Sequence, residues 1–258
     1  MTDPDLREAA DTGLSYRSGA LSGLVTRCLY VLRGPRRVGK TVALKQQIED
    51  LIADEVPPTA KIRVAADDMA AKELRTLVQN TALPMLPAGH RRVWFFDEIS
   101  SVTGNSAQEI KWLRDNDPAF REATVVLTGS NATALTEAGG ELASRRGRAT
   151  NLDRSLCPMG FRTFAELVAH APLPDVEPLD VASLLGAIAR SAYQASLPWL
   201  DDLVRLWETH LTYGGYPRSV ATRLSTANVV RSAYPELRGT PPVGHLIQTF
   251  FPELTAPA

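Results

Sequence analysis

The residues with the clearest chemistry are Gly34-Pro35-Arg36-Arg37-Val38-Gly39-Lys40-Thr41, which fit the pattern G-x-x-x-x-G-K-[ST] in full. Glycines let the backbone wrap a phosphate, so that successive N–H groups and the positive end of a following helix point at one anion. Lys40 has the reach for β- and γ-phosphates, and the Thr41 hydroxyl suits a Mg2+ ion. Four fixed positions match by accident in a chain of this length roughly 1% of the time. The flanks lower that further: Leu29–Leu32 is a short apolar run before the loop, and Leu44, Ile48, Leu51 and Ile52 recur at helical spacing after it, until Pro57-Pro58. Strand, loop and helix are the context such a loop requires.

A second constellation lies 57 positions beyond Lys40, where the apolar run Val93–Phe96 ends in Asp97 and Glu98. An acid at the tip of a buried strand is costly unless it meets a cation or a metal-bound water. Asp97 is therefore expected to hold the Mg2+ shell, and Glu98 to polarise water for attack on a γ-phosphate. The alternative is a solvated acidic pair opening the next loop. The interval fits helix–strand–helix–strand, which places an extra strand between the two motif strands. Thr124–Thr128 then runs into Gly129, Ser130 and Asn131. Ligands lie at the carboxyl ends of strands in such sheets, so Thr128, Ser130 or Asn131 can reach the γ-phosphate or the attacking water; a plain turn is the alternative. In Ser144-Arg145-Arg146-Gly147-Arg148, one arginine can stabilise transition-state charge, in cis or toward a neighbouring subunit. Arg148 is the choice, ahead of a short strand expected over Arg148–Leu152, with solvated surface arginines as the alternative. Arg36 and Arg37 are expected to face outward, with pairing of either to an acid as the alternative.

These residues need a scaffold, and the rest of the chain supplies one. Lys61–Ala66 reads as another strand and Leu74, Leu77 and Val78 as a helix. Strands alternating with helices indicate a parallel sheet covered on both faces. Past Phe164 the texture changes: Pro172, Pro174 and Pro178 mark a loop, then Val181, Leu184, Leu185, Ile188 and Ala192 one helix, and Leu200, Leu203, Val204, Trp207 and Leu211 another. Ser196 is the expected N-cap of the second, with Pro198 in its first turn. The organisation expected is a lead-in over 1–28, a core over 29–165 and a helical appendage over 166–258.

The 258 residues carry 28 Lys+Arg against 29 Asp+Glu, a net charge of −1, which argues against a protein that coats DNA. Cys28 and Cys157 are too few and too far apart for a disulfide framework, and His90, His170, His210 and His245 stand singly, so no zinc site is expected. The acidic, polar N-terminus does not resemble a signal peptide, and no apolar run is long enough to span a bilayer. A cytoplasmic protein with no membrane association is expected.

Taken in order, LRGPRRVGKTVALKQ, FFDEIS, VVLTGSNA, SRRGR, LCPMGFRTFAEL and Tyr213-Gly214-Gly215-Tyr216-Pro217 resemble the AAA-type bacterial and archaeal P-loop ATPases. The resemblance spans about residues 29–220. It implies an α/β three-layer P-loop NTPase sandwich of the additional-strand type, with a five-stranded parallel sheet, a small helical domain after it, and ATP and Mg2+ as ligands. Gly34–Thr41 match the nucleotide loop, Asp97 and Glu98 the metal and water positions, Ser130 the strand-end polar residue, and Gly147-Arg148 the G-R pair. Three departures stand out. Phe164-Ala165-Glu166-Leu167 replaces an F-x-E-F-like segment, and Arg218 stands where an acid often follows the G-G-Y-P turn. The residues after the core also look too few for the family's usual further C-terminal domain, so a shortened member is expected.

The activity expected is Mg2+-dependent ATP hydrolysis coupled to an unknown protein partner, in a chain whose subunits can form a homo-oligomer. A slow nucleotide-gated switch is the second reading. A nucleic-acid-associated ATPase is the third, favoured only by the loop arginines and Arg145–Arg154 and opposed by the overall charge. A small-molecule kinase is disfavoured, because Glu98 beside Asp97 suits activation of water and no arginine-rich lid follows.

Overall fold

In the computed structural model one sheet is built from β1 (Leu29–Arg33), β2 (Lys61–Ala65), β3 (Val93–Asp97), β4 (Thr124–Gly129) and β5 (Asp153–Ser155). All pairings are parallel and the order is β2-β3-β4-β1-β5. The structure describes residues 3–11, 14, 16–81, 84–87, 89–131, 139–169, 173, 182 and 186–222. Burial follows from this order. The central strands β3 and β4 are buried throughout, and β1 in all but its last residue, as continuous apolar runs covered on both faces must be; the edge strands β2 and β5 are partly exposed.

The helices are α1 (Pro4–Asp11), α2 (Lys40–Ala53), α3 (Ala71–Asn80), α4 (Ser106–Asn116), α5 (Pro118–Glu122), α6 (Phe161–Ala169), α7 (Ala187–Ser196) and α8 (Leu200–Tyr213). Period-two alternation sends Leu29, Val31, Val64, Trp94, Phe96, Val125 and Leu127 into one core with α3 and α4. Within it Trp94 stacks on Phe96, and both meet Phe120. The intervening residues Leu32, Arg63, Phe95, Asp97, Val126 and Thr128 therefore face the other way, and α2 packs against β3.

The chain divides into two units, residues 1–6 with 17–157 and residues 7–16 with 158–258. In the first unit, Lys45 of α2 pairs with Asp3 at 2.7 Å and Asp5 at 2.5 Å, tying the N-terminal segment to the loop helix. The second unit has its own apolar cluster of Leu14, Met159, Phe164, Val168, Val220 and Ala221. The Met159 N–H donates to the Gly215 carbonyl at 2.8 Å, anchoring the G-G-Y-P turn.

The expected extra strand is present: β2 lies between the motif strands in sequence and takes the sheet edge, while β4 separates β1 from β3 in space. Two expectations need correction. The last strand is Asp153–Ser155 and not Arg148–Leu152, because Gly147 (φ 91°) and Asn151 (φ 55°) are left-handed and break the extended run. Ser196 does not cap α8. It ends α7 with helical dihedrals, its hydroxyl donates back to the Ala192 carbonyl, and a 3-10 turn over Leu197–Trp199 carries Pro198. Pro172, Pro174, Pro178, Val181, Leu184, Leu185, His170 and His245 lie outside the described residues.

Ion pairs reinforce the parallel ladder between β1 and β5. Asp153 accepts from the Arg146 guanidinium at 2.6 Å and pairs with Arg33. Burial raises the Asp153 carboxyl, but the two guanidiniums outweigh it and hold the group below its ordinary value of 3.8. Stability from a depressed carboxylate is complete above the unfolded pKa and is lost as pH falls through the folded one. Asp153→Asn is expected to cost about 1 kcal/mol near neutrality, discounted for the half-exposed carboxylate. It should also flatten the acid limb of stability below about pH 4. Urea unfolding midpoints of both proteins across that limb check this; equal slopes would contradict it.

Candidate functional site

The turn after β1 is shaped by two glycines. Gly39 has φ 99°, a conformation that strains any residue with a Cβ, and it directly precedes α2. Gly34 sits against the edge strand: a Cβ there would lie 2.4 Å from the Leu156 carbonyl oxygen and 3.1 Å from Val38. The Leu156 N–H donates to the Arg33 carbonyl at 2.7 Å, so this close approach is part of the sheet's own bonding. Val38 is buried, while Pro35, Arg36 and Arg37 are exposed, and Arg37 carries a left-handed φ of 65°. Thr41 follows in the first turn of α2, half-buried.

Lys40 is 6% exposed, and its ammonium donates to the Gly34 carbonyl (2.9 Å), the Pro35 carbonyl (3.0 Å) and Ser130 Oγ (2.8 Å). All three of its protons are engaged. Glu98 Oε2 lies 3.9 Å away. Desolvation pulls the Lys40 pKa below its ordinary value, and the charges of Glu98 and Asp97 partly oppose that.

Asp97 ends β3 with 3% exposure. Its Oδ1 accepts from the Thr128 hydroxyl at 2.8 Å, and its Oδ2 pairs with Arg63 at 2.6 Å. Glu98 is left-handed (φ 56°) and its N–H donates to Thr128 Oγ1 at 3.0 Å. Its Oε1 accepts from Ser100 Oγ (2.9 Å) and the Ser130 N–H (2.7 Å), and its Oε2 from Ser130 Oγ (3.1 Å). Positive φ in a residue other than glycine is uncommon and is held only where surroundings enforce it; here four hydrogen bonds to the residue do so.

Of the sequence-selected residues, Lys40, Asp97, Glu98, Thr128 and Ser130 thus meet at the carboxyl ends of β1, β3 and β4. Arg148 does not join them through any hydrogen bond or ion pair among the described residues, and is exposed. Its neighbours have other partners: Arg145 pairs with Asp115 at 2.7 Å, and buried Arg146 with Asp153. Two residues of the cluster escaped the sequence reading. Ser100 lies two positions past Glu98 in an unremarkable Ser-Ser pair, and Arg63 alternates with apolar residues on β2 as a solvent-facing residue would.

The donor set suits a small hard cation. Thr41 and Asp97 offer oxygens only, and among the described residues no group of three His, Cys, Asp or Glu forms a cage. Mg2+ binds in this way, through one or two protein oxygens with phosphates and waters completing its shell.

A parallel sheet of order 2-3-4-1-5, a glycine loop entering a helix after β1 and an acidic tip on β3 define a P-loop nucleotide-binding fold of the AAA type. Residues 26–165, 140 of the 258, match the AAA domain family, and the chain belongs to it. No curated protein matches it in sequence. Among solved structures, a RuvB variant of Thermotoga maritima is 12% identical with a TM-score of 0.47, over 86% of this chain and 61% of its own. The ORC2 protein of Aeropyrum pernix, solved in ADPNP–ADP complexes, is 16% identical with a TM-score of 0.45, over 90% and 64%. The Walker-type ATPase paby2304 of Pyrococcus abyssi is 12% identical with a TM-score of 0.43, over 90% and 74%. The chain spans less than two thirds of the RuvB and ORC2 chains. No helix among the described residues is long and apolar enough to cross a membrane.

Gly34→Ala forces a Cβ onto the Leu156 carbonyl. The expected cost is about 2 kcal/mol from the backbone shift, read as a lower urea midpoint. An unchanged midpoint would show that the β1–β5 joint yields freely.

Proposed function

We propose that the protein binds ATP with Mg2+ and hydrolyses it. The observation that carries this reading is the single hydrogen-bonded cluster of Lys40, Ser130, Glu98, Thr128 and Asp97 at the carboxyl ends of three adjacent strands. In this reading the backbone N–H groups of Gly34–Thr41 and the start of α2 bind the phosphates. Lys40 leaves the Gly34 and Pro35 carbonyls for the β- and γ-oxygens. Thr41 and Asp97 hold Mg2+, which supplies charge neutralisation along the phosphates when bound. Glu98 accepts a proton from the attacking water, and Ser130 and Ser100 orient its carboxylate. Arg148, exposed and unpaired among the described residues, is the proposed transition-state arginine, contributed in cis or to another copy of the chain.

A second reading, a switch with little turnover, is favoured by the hold on Glu98, whose two oxygens already accept three hydrogen bonds. The helical unit also carries two exposed tryptophans, Trp199 in the turn between α7 and α8 and Trp207 on α8. A partner engaging that unit would read the nucleotide state there.

Lys40→Ala is expected to abolish nucleotide binding. Glu98→Gln is expected to keep binding and lower turnover by about 10²–10⁴-fold. Steady-state phosphate release and nucleotide titration of the three proteins test this, and equal background rates in all would sink hydrolysis. For the switch, tryptophan emission is expected to differ between nucleotide-free, ADP and ATP states; three superimposable spectra would count against it.

A further inference from the structure

Asp97 has a partner that the proposed mechanism does not use. Arg63 stands on the edge strand β2, opposite Phe95 and on the same face as Asp97. Ala65 lies directly opposite Asp97. Its small side chain leaves the diagonal open, and diagonal neighbours on a sheet face are within reach of a long side chain. The Arg63 guanidinium reaches Asp97 Oδ2 at 2.6 Å. The pair is lopsided in burial: the Asp97 side chain is 5% exposed and that of Arg63 31%.

A buried carboxylate must be neutralised or hydrogen-bonded. Lys40 is committed to two loop carbonyls and Ser130, so among the described residues Arg63 is the cation that Asp97 touches. A metal ion on the same carboxylate would face a guanidinium already in place. We infer that Arg63 is a resident counter-ion of the metal-site aspartate, displaced when Mg2+ and nucleotide bind, and that it thereby sets the Mg2+ concentration the site requires. Arg63 is a positioning residue in this scheme. It holds Asp97 in the nucleotide-free protein and yields it on loading, its exposed stem swinging out over the open edge of β2. A ligand that must displace an internal partner binds more weakly by the cost of that displacement. The inference rests on the ATP reading above for the identity of the bound species.

The test is a fluorescent ADP analogue at fixed concentration, titrated with free Mg2+, on wild type, Arg63→Gln, Arg63→Lys and Lys61→Gln. Arg63→Gln removes the counter-ion and is expected to lower the half-saturating Mg2+ by about five- to tenfold. Arg63→Lys keeps the charge and should stay near wild type. Lys61→Gln removes a charge from the same strand without touching Asp97, and should not move the midpoint. Melting temperatures without nucleotide give a second readout. Arg63→Gln should melt lower than wild type and gain more from Mg2+ with ADP. Equal Mg2+ midpoints in wild type and Arg63→Gln, with the analogue still bound by both, would overturn the counter-ion alone. An equal shift in Lys61→Gln would overturn it too, by reducing it to general charge. Failure of wild type to bind the analogue at any Mg2+ concentration would instead remove the ATP reading and the inference with it.

Discussion

Two charged side chains, Lys40 and Asp97, are buried at the carboxyl end of one sheet, and their need for partners shapes what surrounds them. A buried charge without compensation costs more than a small domain's whole margin of stability. The ammonium is satisfied by the turn it belongs to, through the Gly34 and Pro35 carbonyls, and by Ser130 from another strand. The carboxylate is satisfied by Thr128 and Arg63 from strands on either side of its own. This explains the use of β4 between β1 and β3. Its tip carries Thr128 and Ser130, two hydroxyls spaced to serve the acid on one side and the lysine on the other. A sheet that put β1 directly beside β3 would bring ammonium and carboxylate together but leave no hydroxyl to position either.

The same constraint accounts for the left-handed backbone at Glu98. A chain leaving β3 in an extended conformation would carry Glu98 onward, away from β4. The positive φ is accompanied by an N–H donated to Thr128 and a carboxylate bonded to Ser100 and Ser130. Strain of this kind costs on the order of 1–3 kcal/mol and survives only where surroundings over-determine it. A carboxylate next in sequence to a buried acid is thus carried to the neighbouring strand's end.

How much of this could be read from residues alone depends on burial. β1, β3 and β4 are apolar without interruption because both of their faces are covered, and such runs are visible in sequence. The glycine loop is visible because its backbone excludes other residue types. The edges are not: β5 is the polar triplet Asp153-Arg154-Ser155, and its position follows from left-handed residues at 147 and 151 that composition does not announce. Arg63 shows the same limit in the site. An arginine alternating with apolar residues on a strand marks a solvent face, and its reach to Asp97 exists only through the parallel register with β3. Ser196 failed as a cap for a local reason, since its hydroxyl bonds backward to Ala192 and leaves no helix start to cap.

The interactions within this cluster are coupled, so a ligand cannot disturb one alone. In the proposed reading, a phosphate that drew Lys40 off all three of its partners would also remove a donor from Ser130 Oγ. That hydroxyl is the one bonded to Glu98 Oε2, and Glu98 shares Thr128 with Asp97 through its N–H. Binding at the loop would then change the hydrogen bonding of the proposed water-activating acid, by way of a single serine. Each of these contacts is individually worth about 1–3 kcal/mol. In the switch reading, exchange of these internal partners for ligand would have to be close to balanced for di- and triphosphate to favour different arrangements. A rigid, unpaired site would bind phosphate more tightly but would have no second arrangement to report. In the proposed reading, a ligand that displaced the intramolecular partners of Lys40 and Asp97 would bind more weakly by the cost of that displacement.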